Sequence, residues 1–183
     1  MKKVYIYLAE GFEEIEALAP ADILRRAGAQ VTLVSITADL TVTGARGVKV
    51  IADCTLKEAG ELPDMIVLPG GYPGYENLAN SAEVEAMVKR MLEDNRFVAA
   101  ICGAPAAVLG EKGFLKDSCA VCYPGMEDKL FCRKVSSDGV CADGNIITAK
   151  SAGYAIDFAL KLTECLFGKD EMKKVSDGIV YNG

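Results

Sequence analysis

Cys102 stands where an apolar segment gives way to small residues, a position in which a thiol could act as a nucleophile. Residues 97–101 are apolar, and Gly103, Ala104 and Pro105 follow the cysteine. A strand that enters an uncrowded turn before a helix is typical of a nucleophile elbow. A helix N-terminus would lower the pKa of the thiol, so we expect Cys102 to be the most acidic and most readily oxidised cysteine of the chain. An inert buried cysteine is the alternative that this position alone leaves open.

The first turn of the first predicted helix carries three glutamates, one of which could exchange a proton with a thiol. Glu16 shares a helical stripe with Pro20 and Ile23, which predicts that its side chain faces the sheet. Burial would raise the pKa of this carboxyl toward neutrality and make its proton available to a nearby sulfur. A solvated helical glutamate is the alternative for Glu16. The favourable interaction with the helix macrodipole suffices to explain Glu13 and Glu14.

Glycines offer backbone groups for the same chemistry. Gly70 and Gly71 follow Pro69 at the end of another apolar segment, where their N–H groups could approach a ligand as an oxyanion or carbonyl site. Gly103, directly after the cysteine, is a third such candidate. Pro-Gly-Gly by itself signals only a turn.

Histidine is absent from the sequence, which excludes a Ser-His-Asp triad, a Cys-His dyad and any His-ligated metal. The seven cysteines are predicted to be free thiols, because no export signal precedes them. A zinc site lacks the second close-spaced cysteine pair, so no metal is expected. On a strand, Cys119 and Cys122 would face opposite sides, which argues against a redox pair. The sequence leaves open the roles of Cys54, Cys119, Cys122, Cys132, Cys141 and Cys165.

Strands and helices that alternate along the chain must position these residues. Short β-branched segments alternate with helix-length amphipathic ones, which is typical of an α/β fold with a mostly parallel sheet covered on both faces. The ligand site of such a sheet lies beyond the carboxyl ends of its strands. The predicted strands are 3–8, 30–36, 65–68, 97–101, 119–123, 134–136, 140–142 and 145–148, with a hairpin formed by 40–43 and 48–52. The predicted helices are 14–27, one that begins after Ser81, 104–112 and 154–167.

Composition restricts the class of protein. The chain has 183 residues, of which 51% are hydrophobic, so we expect one domain over 1–183. A net charge of -6 argues against nucleic acid or anionic lipid as a partner. The longest uncharged segment, 97–110, is too short to span a membrane. Glutamates follow the first apolar segment where a secretory signal would continue, so a cytoplasmic location is expected.

Several segments together resemble a known family over nearly the whole chain. They are LAEGFEEIE at 8–16, DILRRAG at 22–28, VLPGG at 67–71, AAIC at 99–102, IT at 147–148, and Gly153 before DFAL at 157–160. The sequence is similar to the ThiJ/PfpI family, in the branch of the parkinsonism-associated protein deglycase. The resemblance implies a flavodoxin-like three-layer sandwich, a homodimer and a reactive elbow cysteine at Cys102. It also implies that Glu16 is a protonated carboxyl bonded to that sulfur, beside backbone donors at Gly70 and Gly71.

Two positions depart from the pattern of this family. Tyr123 stands where relatives carry a histidine near the nucleophile, and tyrosine is no general base near neutral pH unless its pKa falls far. Lys150 replaces an arginine and loses the bidentate fork, so anion binding there is expected to be weaker. Arg46 matches an arginine that relatives use near the dimer interface, with a solvated loop charge as the alternative.

The leading functional hypothesis is a cysteine-dependent enzyme of the glyoxalase or deglycase type that acts on reactive carbonyls. Cys102 would add to an α-oxoaldehyde, or to its adduct on an amine or thiol, while Glu16 shuttles the proton. No cofactor is expected. The alternative is a non-catalytic oxidative-stress sensor or redox-regulated chaperone that works through oxidation of Cys102. The same residues serve both hypotheses, and the missing histidine argues against the protease activity of distant family members.

Overall fold

Apolar, β-branched segments form the strands of the computed structural model, which describes residues 1–182. The strands are β1 (Lys3–Leu8), β2 (Gln30–Ser35), β3 (Thr41–Thr43), β4 (Lys49–Ile51), β5 (Cys54–Thr55), β6 (Met65–Leu68), β7 (Phe97–Ile101), β8 (Cys119–Ala120), β9 (Lys134–Val135), β10 (Val140–Asp143) and β11 (Ile146–Ala149). The helices are α1 (Glu14–Arg26), α2 (Gly74–Ala79), α3 (Ala82–Glu93), α4 (Ala155–Phe167) and α5 (Lys169–Gly178), with a π-helical segment at Pro105–Gly110.

Within the described residues, seven strands form the central sheet in the order β10-β11-β7-β6-β1-β2-β5. Every neighbouring pair in this sheet is parallel except β10 with β11. Side chains along β1 alternate between two cores: Val4 and Ile6 pack on the side of α1 and α4, while Tyr5 and Tyr7 pack on the side of α3. The result is the three-layer, mostly parallel α/β sandwich that the alternation of segments predicts.

Two helices begin or end at the residues that the sequence predicts. The Ser81 hydroxyl accepts a hydrogen bond from the Val84 N–H at 3.2 Å at the start of α3, as an N-cap does. Gly168, with φ +91°, ends α4, because glycine adopts a positive φ without a steric cost. The hairpin β3–β4, defined here as residues 41–51, lies off the main sheet, in agreement with the prediction.

Other boundaries differ from the prediction. The segment predicted as strand 119–123 pairs only over Cys119–Ala120, because the Val121 N–H donates to Thr148 Oγ1 instead of to a strand. The predicted helix 104–112 is the shorter π-helical segment. The elements β5, α2 and α5 were not predicted; β5 has two residues, and α2 has six. No helix of residues 1–182 is long and apolar enough to cross a membrane.

Candidate active site

Cys102 sits directly after β7 in a backbone conformation that residues other than glycine rarely adopt. Its φ is +66°, which costs roughly 1 kcal/mol or more for a residue with a Cβ. Two hydrogen bonds hold this conformation: the Cys102 N–H donates to the Ala149 carbonyl at 3.0 Å, and the Tyr123 N–H donates to the Cys102 carbonyl at 2.8 Å. The half-buried thiol therefore projects from a sharp strand-to-turn junction, which is the geometry of a nucleophile elbow.

Glu16 extends from α1 toward this cysteine and is almost completely buried. Its Oε2 accepts a hydrogen bond from the Gly70 N–H at 2.8 Å, and its carboxyl interacts with the Cys102 thiol. A Cβ on Gly70 would lie 2.5 Å from Cys102 Cβ and 2.6 Å from Glu16 Oε2, so the loop can approach both side chains only because it has none there. Among the described residues, Glu16 Oε1 is buried with no hydrogen-bond partner, which leaves it free to take up a proton.

The surroundings shift the pKa values of both groups upward. Burial raises the pKa of Glu16 to about 7, against the lowering effect of the Gly70 N–H, as its inward position predicts. Burial and then the Glu16 charge raise the pKa of the Cys102 thiol to about 12. This upward direction is opposite to the lowering expected from a helix N-terminus. The N–H groups of Gly71 and Gly103 lower the thiol pKa. Their effect is smaller than the combined upward effect of burial and the neighbouring carboxylate.

An open cavity of about 590 Å³ connects the thiol to the surface. Of the residues predicted for the site, Gly71, Gly103, Tyr123 and Arg46 line this cavity together with the Cys102–Glu16 pair. Gly70 lies behind the pair rather than on the cavity wall.

Lys150 does not belong to this constellation. It is not among the residues that line the cavity, and its Nζ donates to the Ser137 carbonyl at 2.6 Å. The anion binding considered for Lys150 is therefore not placed at this cavity, because its side chain extends toward the loop between β9 and β10.

Glu13 and Glu14 have specific partners beyond the helix macrodipole. Glu14 Oε1 accepts hydrogen bonds from the N–H groups of Arg46 at 2.8 Å and Val48 at 3.2 Å, which ties the hairpin to α1. The Glu13 carboxylate lies 3.9 Å from the Arg46 guanidinium at the rim of the cavity. The macrodipole explanation of these two residues was incomplete, because the sequence does not reveal that the hairpin folds over the helix start.

A profile of the DJ-1/PfpI family matches residues 2–165, a segment that contains every residue of the site described above. The chain belongs to the DJ-1/PfpI family. This assignment confirms the resemblance to the ThiJ/PfpI family that the sequence motifs indicated. The motifs that carried the resemblance supply Glu16, Gly70 and Cys102, which the structure brings into contact.

Named relatives of this DJ-1/PfpI protein come from several organisms. It is 42% identical to Protein DJ-1 homolog A of Arabidopsis thaliana over 96% of this chain and 45% of the relative, so it spans less than half of that relative's length. It is 35% identical to Protein dj-1beta of Drosophila melanogaster over 99% of both. It is 31% identical to Glutathione-independent glyoxalase DJR-1.2 of Caenorhabditis elegans over 88% of this chain and 87% of the relative.

Solved structures of DJ-1 proteins match the fold. Oxidized Toxoplasma gondii DJ-1 superposes with a TM-score of 0.94 at 37% identity over the full length of both chains. A cysteine-to-alanine mutant of a DJ-1 superfamily protein from Salmonella typhimurium gives a TM-score of 0.96 at 36% identity over the full length of both. These matches confirm the α/β fold class that the sequence predicts and the flavodoxin-like class that the resemblance implies.

Sequence reasoning missed several residues of this DJ-1/PfpI site. Tyr72, Tyr75, Met126 and Ala152 line the cavity. All four lie in loops or short helices that have no hydrophobic periodicity. For the two tyrosines a signal was present, since Tyr72 directly follows the Pro-Gly-Gly turn at the carboxyl end of β6 and Tyr75 comes three residues later.

The remaining cysteines of the protein lie outside the cavity lining and are free thiols. The Cys122 thiol donates to the Tyr123 carbonyl at 3.4 Å, and the Cys141 thiol donates to the Cys119 carbonyl at 3.5 Å. In the part of the chain that the structure describes, no three His, Cys, Asp or Glu side chains cluster in a way that could hold a metal ion.

Proposed function

We propose that this protein is a cysteine-dependent enzyme of the glyoxalase type, with Cys102 as nucleophile and Glu16 as proton shuttle. The observation that carries the proposal is the contact between a half-buried thiol and a carboxyl of pKa about 7 at the base of an open cavity. A group with a pKa near the working pH is well suited to accept and return protons. The glyoxalase name of the Caenorhabditis elegans relative supports the same class.

The first step is the addition of the Cys102 sulfur to the aldehyde carbon of an α-oxoaldehyde. The thiol proton passes to the Glu16 carboxylate as the S–C bond forms, and the carbonyl oxygen then takes this proton to give a hemithioacetal. The N–H groups of Gly71 and Gly103, which lower the pKa of the thiol, stabilise negative charge on the sulfur during the attack.

The second step is an isomerisation. Glu16 removes the proton from the carbon that bears sulfur and returns it to the neighbouring ketone carbon. The hydroxyl group on the first carbon loses its proton while the ketone oxygen gains one, so the hemithioacetal becomes the thioester of a 2-hydroxy acid. Water then hydrolyses the thioester and releases the thiol. The net reaction adds one water to the α-oxoaldehyde, and no redox partner is consumed. A carbonyl that arrives as an adduct on an amine or thiol would enter the same sequence after that group leaves.

The proposal is tested by measuring lactate formed from methylglyoxal. We expect turnover by the wild type and a loss of at least about 100-fold in Cys102→Ser, because serine is a much weaker nucleophile. The matched control is Cys54→Ser, which changes a cysteine outside the cavity and should retain the wild-type rate. With the protein shown free of contaminating glyoxalase, equal turnover in Cys102→Ser would refute the proposal.

A second candidate function, redox sensing, is supported by the oxidized form in which the Toxoplasma gondii relative was solved. Cys102 would reduce one peroxide to water while becoming a sulfenic acid, and a second peroxide would give the sulfinic acid. Glu16 and the N–H groups beside the sulfur could hold the new oxygens. Peptide mass spectrometry after mild peroxide treatment tests this function: oxidation should fall first on Cys102, and preferential oxidation of another cysteine would exclude it.

A further inference from the structure

One wall of the active-site cavity is aromatic. Tyr72, Tyr75 and Tyr123 all line the cavity that contains the Cys102 thiol, and Met126 lies beside them. The Tyr72 and Tyr75 rings are tilted by 56° with their centroids 6.1 Å apart. This spacing and tilt are those of a favourable aromatic pair.

The position of this wall relative to the nucleophile is fixed by packing. A Cβ on Gly103 would lie 2.6 Å from Tyr75 Cδ1, so the Tyr75 ring rests directly on the backbone that follows Cys102. Tyr72 and Tyr123 stand at the mouth of the cavity with 67% and 48% of their surface exposed. Both rings therefore keep apolar surface that a bound molecule could bury.

The cavity also has polar lining residues. The Glu13 carboxylate and the Arg46 guanidinium, which lie 3.9 Å apart, both line it. A substrate that reaches the sulfur consequently meets an ion pair as well as aromatic rings. Methylglyoxal has one methyl group beyond its two carbonyls and is far smaller than a cavity of about 590 Å³, so it would leave most of the aromatic surface uncovered.

We propose, resting on the glyoxalase function above, that the tyrosine wall selects α-oxoaldehydes whose second substituent is an aromatic ring. The aldehyde carbon sits at the Cys102 sulfur, and the ring packs against Tyr75 and Tyr72. The Met126 thioether adds a favourable sulfur–aromatic contact. Phenylglyoxal is the simplest substrate of this class.

The test is the ratio of initial-rate kcat/KM for phenylglyoxal to that for methylglyoxal, compared among variants. In Tyr72→Ala and Tyr75→Leu the ratio should fall about fivefold, the size expected for the loss of one aromatic pair. Phe131→Ala serves as the matched control, because Phe131 is an exposed aromatic residue outside the cavity, and its ratio should not change. An unchanged ratio in Tyr72→Ala and Tyr75→Leu would overturn the selection.

A second measurement separates this inference from the proposed function. Phenacyl bromide and bromoacetone both alkylate a thiol by forming an S–C bond and releasing bromide, and neither needs turnover. The rate of Cys102 alkylation is followed by mass spectrometry for each reagent and divided by the rate at which that reagent alkylates glutathione. In the wild type this normalised rate should be higher for phenacyl bromide than for bromoacetone. In Tyr72→Ala the difference should disappear. If methylglyoxal is not turned over but this preference holds, the glyoxalase function fails and the aromatic selection stands. If methylglyoxal is turned over and the preference is missing, only the selection fails.

Discussion

At the scale of single residues, Glu16 makes stability depend on pH. Its pKa rises from 4.5 to about 7 on folding, so between these values the folded chain binds a proton that the unfolded chain has released. The stability contributed by the neutral carboxyl is therefore complete below about pH 4.5 and is lost as the pH rises to 7. The shift corresponds to roughly 3 kcal/mol.

Glu16→Gln should remove this loss, because the amide is uncharged and its oxygen still accepts the Gly70 N–H. We expect urea unfolding to show that wild type loses more stability than the variant between about pH 5 and about pH 8, by up to roughly 3 kcal/mol. The comparison with the variant cancels the titration of all other groups. The same pH dependence in both proteins would show that Glu16 is an ordinary solvated carboxylate.

The inward orientation of Glu16 could be predicted from sequence because helical periodicity determines which face a side chain occupies. The pKa of Cys102 could not, since it depends on a carboxyl 86 positions away in the chain and on the depth of burial. The Gly103 N–H, which is next to Cys102 in the sequence, lowers the pKa of the thiol, but burial and the Glu16 charge raise it by more.

At the scale of elements, Glu14 connects α1 to the hairpin. Glu14→Ala would leave the Arg46 and Val48 N–H groups without their carboxylate acceptor, and should cost about 1 to 3 kcal/mol of unfolding free energy. Amide hydrogen exchange at both residues should accelerate at the same time. Glu93→Ala, at the exposed end of α3, is the control and should change stability by less than about 0.5 kcal/mol. Unchanged amide exchange at Arg46 and Val48 in Glu14→Ala would show that Glu14 does not hold the hairpin on α1.

Elements of the central sheet were the most predictable part of the fold. The cores of β1, β6 and β7 are continuous apolar segments, and β2 is rich in β-branched residues; all four strands form where the sequence indicates. The sequence did not reveal β5 or α2, because tertiary contacts stabilise such short elements. That Tyr72 and Tyr75 line one cavity with Tyr123 was not predicted, because Tyr72 and Tyr75 follow β6 whereas Tyr123 follows β8.

At the scale of the whole molecule, we predict a homodimer through α1 and the hairpin. Ile15 on α1 is 55% exposed, and Ile51 on the hairpin is 73% exposed, so this surface presents large apolar side chains to water. Light scattering at micromolar concentration should give twice the chain mass of 19.4 kDa. Ile51→Lys should shift the mass toward the monomer, whereas Phe131→Lys, which alters an exposed apolar residue elsewhere, should not. A wild-type mass near 19 kDa would refute the dimer.

One structural domain over 1–183 also stays a prediction at this scale. It is supported by the seven-stranded central sheet, whose strands come from residues 3–149 of the chain. A cooperative urea transition with coincident fluorescence and circular dichroism curves is expected of one domain.

The coupled action of Cys102 and Glu16 is tested most directly by the pH dependence of kcat/KM for lactate formation from methylglyoxal. Since the pair must lose one proton before the sulfur can attack, the wild-type value should rise with pH and level off above an apparent pKa near 7. Glu16→Gln should be slower by about 100-fold and should lack this inflection. A Glu16→Gln enzyme with the wild-type rate and the wild-type inflection would contradict the coupled pair.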